Sequence, residues 1–425
     1  MNYLTASKEQ LIAEREALMA KYNEFKAKGL KLDMSRGKPS AAQLDESEGL
    51  LTVLSKNDDT IVDGLDTRNY GILDGIVPAR KLFAELLEVP FENVIVGGNS
   101  SLTFMYDTIM RLCMFGAAGI NEPWFNCKDR KFLCPVPGYD RHFTITEQFG
   151  FEMINIPMDE NGPDMDMIEK LVAEDASIKG IWCVPKYTNQ EGDVYSDEVV
   201  HRLANLKPAA KDFRIMWDNA YCVHTISQDD KLANIFTECK AAGNEDMFFE
   251  FTSTSKITYP GAGVCAFVAS DANIAWTKKL MNAQAISADK VNQLRHVKFF
   301  KNAQGILEHM KKHAAILKPK FDMVLNKLDT YIKETGVGQW KVPNGGYFVA
   351  YAAYPGTAKA IFAMCKEAGL VITNAGAVYP YGKDPQDSIL RIAPSLPPVS
   401  ELEVAMDLFC TCALITAIDK ILETK

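Results

Sequence analysis

Lys256 lies in Phe251-Thr-Ser-Thr-Ser-Lys-Ile-Thr-Tyr-Pro-Gly-Ala-Gly263, among small hydroxyl residues and between two apolar runs, 247–251 and 264–269. The pattern predicts strand, polar loop, glycine turn, strand. An amine held at a strand end and withdrawn from water loses proton affinity and becomes a nucleophile or Schiff-base former. The same letters also describe a surface lysine in a Ser/Thr loop, so the reading depends on the groups around it.

Trp217-Asp-Asn-Ala-Tyr221 follows the apolar run 213–216. That puts Asp218 at the carboxyl edge of a sheet, where α/β ligands bind, or at the cap of the next helix. Tyr221 is near enough to address the same ligand. Gly97-Gly-Asn-Ser-Ser101 joins a strand, 93–96, to an apolar helix, 102–115. Its free N–H groups suit a phosphate, although a tight turn would use the same residues. Asn189, in Pro185-Lys-Tyr-Thr-Asn-Gln-Glu-Gly192, could hold a ligand oxygen or form an Asx turn. In Pro137-Gly-Tyr-Asp-Arg-His142, Tyr139 could stack on a planar ligand and His142 could support a buried acid. Arg391 sits inside an apolar strand, Leu390-Arg-Ile-Ala-Pro394, and wants a carboxylate or phosphate, from a ligand or from an internal salt bridge.

Two patterns carry less. Gly261-Ala-Gly-Val-Cys-Ala266 spells the dinucleotide fingerprint, but β-type residues follow where a helix must open, which argues against a nicotinamide site. His309 and His313 have metal-ligand spacing, but with Lys311 and Lys312 between them they read as a solvated helix face, so no metal is expected.

These groups need a frame. Seven short apolar strands, 93–96, 131–135, 151–157, 180–185, 213–217, 247–252 and 264–270, alternate with helices or loops, which predicts an α/β, mostly parallel sheet covered on both faces. Ahead of it come a helix over 7–28, with Ser7 and Gln10 at capping-box spacing and Gly29 ending it, and a short strand at 30–34. After residue 300 a long helix, about 301–333, leads into α+β grammar. The division expected is a large domain, 50–300, and a small one built from 1–49 and 301–425.

With 425 residues, 47% of them hydrophobic and 24% charged, the chain is of ordinary soluble composition. A net charge of −9 argues against nucleic acid or an anionic membrane as the main partner. Residues 1–10 have neither a basic n-region nor an apolar h-region, and ten scattered cysteines with no Cys-x-x-Cys suit reduced thiols in a cytoplasm.

Taken in order, Tyr70-Gly71, the glycine–serine turn, the aromatic, the Asn, Asp-x-x-Tyr, Ser-x-Ser-Lys and the late Arg resemble the fold-type I pyridoxal-phosphate aminotransferases over nearly the whole chain. Ser35-Arg-Gly-Lys-Pro39, Gly97-Gly-Asn-Ser-Ser-Leu102 and Thr254-Ser-Lys-Ile-Thr258 are similar to a divergent bacterial branch of aspartate aminotransferases. That branch is close to the aminotransferase-like domains of winged-helix regulators, and with no winged-helix segment ahead of the domain the free-standing enzyme is expected.

The resemblance implies fold type I, with a seven-stranded large-domain sheet, pyridoxal 5′-phosphate as cofactor, a homodimer, and small amino and 2-oxo acids as partners. Lys256 would carry the cofactor as a Schiff base and move the substrate Cα proton. Asp218 would pair with the pyridine nitrogen, with His142 behind it. Asn189 and Tyr221 would hold the phenolic oxygen, Asn189 also facing substrate, and Tyr139 would stack on the ring. Gly98, Asn99, Ser100 and Ser253 would hold the phosphate, with Tyr70 reaching in from a second subunit. Arg391, with Gly37 beside it, would clamp the α-carboxylate, and Arg36 would receive the side-chain carboxylate, with Arg68, Arg141 and Lys186 as alternatives. The reaction implied is ping-pong transamination between L-aspartate and 2-oxoglutarate.

The chain departs from the family pattern in two places. Many relatives carry an arginine eight residues after the lysine, where this chain has Val264, and the usual Asn-Pro-x-Gly is Asn189-Gln-Glu-Gly192. Other readings are a different specificity (aromatic, alanine or kynurenine), a β-lyase using the same lysine and aspartate, or a non-catalytic cofactor-binding sensor.

Overall fold

The computed structural model describes residues 1–188 and 192–425, apart from the side chains of residues 57 and 58. Its main sheet runs, in spatial order, Val94–Val96, Cys265–Val268, Phe248–Ser253, Arg214–Asp218, Ile178–Cys183, Lys131–Val136, Glu152–Asp159 and Gly162–Pro163. The five strands from Phe248–Ser253 to Glu152–Asp159 are mutually parallel, and Cys265–Val268 is antiparallel to both neighbours. All seven expected strands form. The eighth is the two-residue Gly162–Pro163, folded back on Glu152–Asp159, too short and too poor in β-formers to read in advance.

Arg214–Asp218 and Phe248–Ser253 are buried along their whole length, as strands covered on both faces must be. Alternation then sorts their side chains. Met216, Phe249 and Phe251 pack on one face with Phe132, Trp182 and Phe267. Ile215, Trp217 and Phe248 pack on the other with Leu133, Ile181 and Val200.

A third core draws on both ends of the chain. Leu32–Met34 pairs in parallel with Leu370–Ile372, and Gly338–Trp340, Val349–Ala353 and Ile389–Ile392 form an antiparallel sheet. Leu11, Phe25 and Met34 share this core with Phe321, Leu328, Ile361 and Phe409. The C-terminal helix Val399–Leu422 is apolar nearly all round and is buried accordingly. Helix Lys8–Ala27 starts with the expected box: Gln10 N donates to Ser7 Oγ (3.2 Å) and Ser7 N donates to Gln10 Oε1 (2.9 Å). Gly29 follows its end at φ +60°.

One expectation is corrected. His309 and His313, on helix Ala303–Tyr331, are buried, not solvated. His309 Nε2 donates to Ile257 O (2.9 Å), and Gln43 Nε2 donates to His313 Nδ1 (3.2 Å). Burial pushes His313 down to about 4, so it stays a neutral acceptor. The two lysines between them lie on the opposite side of the helix, exposed to water. No cluster of potential metal ligands occurs among the described residues.

Candidate active site

Where the strand Phe248–Ser253 ends, the chain turns sharply. Ile257 N and Thr258 N both donate to Thr254 O (2.9 and 2.8 Å), and Thr254 N donates to Val264 O (2.8 Å). His296 fastens the turn from behind. Its Nδ1 donates to Asn292 O (2.8 Å), so Nε2 accepts from Thr258 Oγ1 (2.9 Å) and lies 3.1 Å from Thr254 Oγ1. Burial holds His296 down at about 4, which keeps that acceptor free of a proton. Lys256, half-buried, projects from this turn with Nζ 4.7 Å from the centre of the Tyr221 ring, and Tyr347 Oη donates to its carbonyl (3.2 Å). The glycine bend after it is equally fixed: Asn292 Nδ2 donates to Ala262 O and Gly263 O (2.8 and 3.0 Å). A Cβ on Gly263 would come within 3.2 Å of Asn99 O.

Lys256 lines a cavity of about 150 Å³ with Asp218, Tyr221, Tyr139, Ser100 and Ser253. The sheet explains the convergence, because the ends of three adjacent strands and the N-terminus of helix Ser101–Phe115 open at one edge. Asp218 is 3% exposed. Its Oδ2 accepts from His142 Nε2 (2.9 Å), while its Oδ1 is buried with no hydrogen-bond partner. His142 is itself held face to face on Trp182, centroids 4.2 Å apart and planes 5° from parallel. A buried carboxylate oxygen without a donor is costly unless a ligand supplies one. Tyr139 stands edge-on to His142, and burial raises its phenol as it raises that of Tyr221.

At the helix end, Ser100 makes no side-chain cap, so the first-turn N–H groups are left to a ligand. Ser253 Oγ donates to Ser255 Oγ (3.0 Å), which donates to Asn99 O (3.0 Å). Asn99 Nδ2 donates to Pro260 O (3.3 Å), tying the glycine–serine turn to the lysine loop. Gly98 lies in that turn, exposed, outside the cavity wall. Lys256 is the one lysine or arginine in the wall among the described residues.

Arg391 is 7% exposed and makes no ion pair among the described residues. Its Nε donates to Thr373 Oγ1 (3.3 Å), and its guanidinium lies over the Phe348 ring at 4.4 Å. Burial pulls that guanidinium below its ordinary range, Asp140 opposes this, and Arg36 is close enough to add to it. Gly37 packs against the same ring, since a Cβ there would meet Phe348 Cζ at 2.6 Å.

The remaining expectations scatter. Lys186 pairs with Asp229 (3.1 Å) and faces a different cavity. Arg68 pairs with Asp66 (2.7 Å) at the surface, Arg141 is exposed, and Tyr70 is 84% exposed. Asn189 lies outside the described residues. Sequence reading missed Trp182, Ser255, Thr258 and His296. Only Ser255 and Thr258 had a signal, their place in the motif around the lysine.

This sheet order, with a lysine loop after one strand and a carboxylate ending its neighbour, is that of the fold-type I aminotransferases. A sequence model of the family described as aspartate amino-transferase matches residues 6–425, and the chain belongs to that family. It is 49% identical over 403 residues to an aspartate aminotransferase of Corynebacterium glutamicum, covering 95% of this chain and 93% of that one. The crystal structure of an aspartate transaminase from the same organism superimposes with a TM-score of 0.96 at 47% identity, over 99% of both chains. An α-aminoadipate aminotransferase of Thermus thermophilus, complexed with N-(5′-phosphopyridoxyl)-L-leucine, shares the fold, with a TM-score of 0.74 at 18% identity over 99% of this chain and 97% of that one.

Proposed function

We propose that the protein is a pyridoxal-phosphate-dependent aspartate aminotransferase, passing the amino group of L-aspartate to 2-oxoglutarate to give oxaloacetate and L-glutamate. The observation that carries this is the unpartnered Asp218 Oδ1, buried in the wall of the cavity that Lys256 also lines. An acceptor in that position fits a protonated pyridine nitrogen. The Corynebacterium glutamicum relative at nearly half identity is called by that activity both as a sequence and as a solved structure.

Bound pyridoxal phosphate supplies an aldehyde that takes up amines and a ring that withdraws electrons from the substrate Cα. The chain does the rest. Lys256 Nζ is the amine that would hold the cofactor's aldehyde carbon, and it would move the substrate Cα proton. Asp218, oriented by His142, keeps the ring nitrogen protonated. Tyr221, with Asn189, holds the phenolic oxygen, and Tyr139 covers the ring. The N–H groups at Gly98, Asn99 and Ser100, with the Ser253 and Ser255 hydroxyls, take the phosphate charge where relatives use an arginine.

Arg391, with no ion pair among the described residues, clamps the α-carboxylate. Arg36, exposed, near enough to act on the Arg391 charge and free of any ion pair among the described residues, receives the second carboxylate, which is why dicarboxylic substrates are favoured. Residues 50–300 act as the cofactor-bearing domain, with 1–49 and 301–425 as the smaller one. Exposed Ile61, Leu65 and Tyr70 support a homodimer in which Tyr70 reaches the partner's phosphate. Ten free cysteines support a cytoplasmic setting, and no helix among the described residues is long and apolar enough to cross a membrane.

The test is to titrate the purified, yellow protein with a panel of amino acids, following its absorption and the oxaloacetate formed. Aspartate and glutamate should bleach it and turn over with the matching oxo acid. Bleaching by alanine or aromatic amino acids alone would end the aspartate assignment, and pyruvate with ammonia would make it a lyase.

A further inference from the structure

A second cavity opens away from the one that Lys256 lines. It measures about 700 Å³, in the size range of small-molecule sites, and shares no lining residue with the Lys256 cavity. The two lie on opposite faces of the sheet. Glu250 is in register with Trp217, and Phe251 with Asp218, so strand alternation sends Glu250 and Asp218 to opposite sides.

The wall of the larger cavity holds an uncommon pair. Glu250 is 4% exposed and Asn219 7%. Asn219 Nδ2 donates to Glu250 Oε1 (2.9 Å), which uses up the donor that the amide turns toward this group. Asn219 Oδ1 is buried with no partner, and no second hydrogen bond to the Glu250 carboxylate occurs among the described residues. What remains on Asn219 Oδ1 and on the ionised Glu250 carboxylate is acceptor capacity. Trp217, Val223, Leu86 and Met310 make the adjoining wall apolar. Burial also raises Glu250 to about 7, a cost that an approaching cation would relieve.

We propose that this cavity binds a small organic ammonium ion with an apolar body, its N–H donors received by Asn219 Oδ1 and the Glu250 carboxylate. Donors answer the unpaired acceptors, the positive charge answers the carboxylate, and the apolar body covers the hydrophobic wall. The site is separate from the transamination chemistry, so its fate does not depend on the assignment of substrate.

The test is calorimetric titration of the cofactor-loaded protein with N-methylphenethylamine. This secondary ammonium ion keeps two N–H donors and cannot form a neutral imine with an aldehyde. Saturable binding is expected, with the cofactor absorption unchanged and no competition from aspartate. Glu250→Gln should weaken it about tenfold or more, the loss of one charge-assisted hydrogen bond. Leu307→Trp, at a wall residue 41% exposed, should block the cavity and weaken binding as much without unfolding the chain. Aspartate turnover should be the same in both variants. No saturable heat at about 10 mM ligand, competition by aspartate, or wild-type affinity in either variant would overturn the proposal.

Discussion

Replacing Asp218 by Asn tests the centre of the proposed mechanism with almost no change of shape. His142 Nε2 has one acceptor, Asp218 Oδ2 at 2.9 Å, and its ring is pinned against Trp182. In Asp218→Asn the amide oxygen must take that side, because an NH₂ group there would face an N–H. The amide NH₂ then stands where Oδ1 stood, pointing a donor at a ring nitrogen that has to carry its own proton. The variant therefore removes a buried opposite charge and sets donor against donor. Breaking a buried charge pair in this way costs about 3–5 kcal/mol. At 1.36 kcal/mol per tenfold, kcat/KM for aspartate should fall by roughly two to nearly four powers of ten. Folding should be little affected, since the His142 bond survives in neutral form. The assay is steady-state oxaloacetate production, with thermal unfolding as the control. A variant within about threefold of wild type would show that the buried oxygen does not meet the ring nitrogen.

Three further outcomes are expected. Lys256→Ala should abolish transamination while the protein still takes up cofactor; wild-type turnover would remove Lys256 from the chemistry. Arg391→Ala should weaken every amino-acid substrate by about 2–5 kcal/mol, whereas Arg36→Ala should penalise aspartate and glutamate and leave alanine nearly unchanged; equal losses across the panel for Arg36→Ala would deny it the side-chain carboxylate. Glu250→Gln should stabilise the fold, by an amount that grows with pH. The unfolded carboxyl ionises near 4.5 and the buried one near 7. Wild-type stability therefore drains away between those two values, and the variant escapes the loss, a gap on the order of 3 kcal/mol above pH 7 by denaturant unfolding. A gap that did not change from pH 4 to pH 8 would mean that Glu250 ionises freely.

Much of the frame was readable because its physics is local. Buried parallel strands are mostly apolar, so the runs 213–216 and 247–251 announce themselves despite Arg214 and Glu250, and the polar residues that follow mark the sheet edge. Asp218 ends one of these strands and Lys256 lies in the loop just past the other. The proposed anion cradle was legible for a similar reason, since glycines between a strand and a helix leave the N–H groups bare. The supports of the site were harder to see. Trp182 is one more aromatic in a strand, and only the packing of helix Asp140–Gln148 on the folded sheet lays His142 flat on it. His296 is forty residues from the loop that it fastens, and neither its type nor its neighbours point there.

The histidines show where spacing stops being informative. His309 and His313 share a helix face with the separation of metal ligands, and the lysines between them suggested water. Period alone gives a shared face without saying which way it turns. The direction is set by residues far away, Gln43 and the Lys256 loop, which offer one of these rings a donor and the other a carbonyl. Glu250 is the same case with higher stakes. On paper it interrupts an apolar strand, Phe248-Phe-Glu-Phe251, much as a cap or a surface residue would. In the fold it is buried in the cavity wall with one hydrogen bond to its carboxylate among the described residues, one position before the residue paired with Asp218. A buried carboxylate that serves neither the proposed chemistry nor an ion pair is a standing cost. That cost makes the cavity in front of it the place to look for a second ligand.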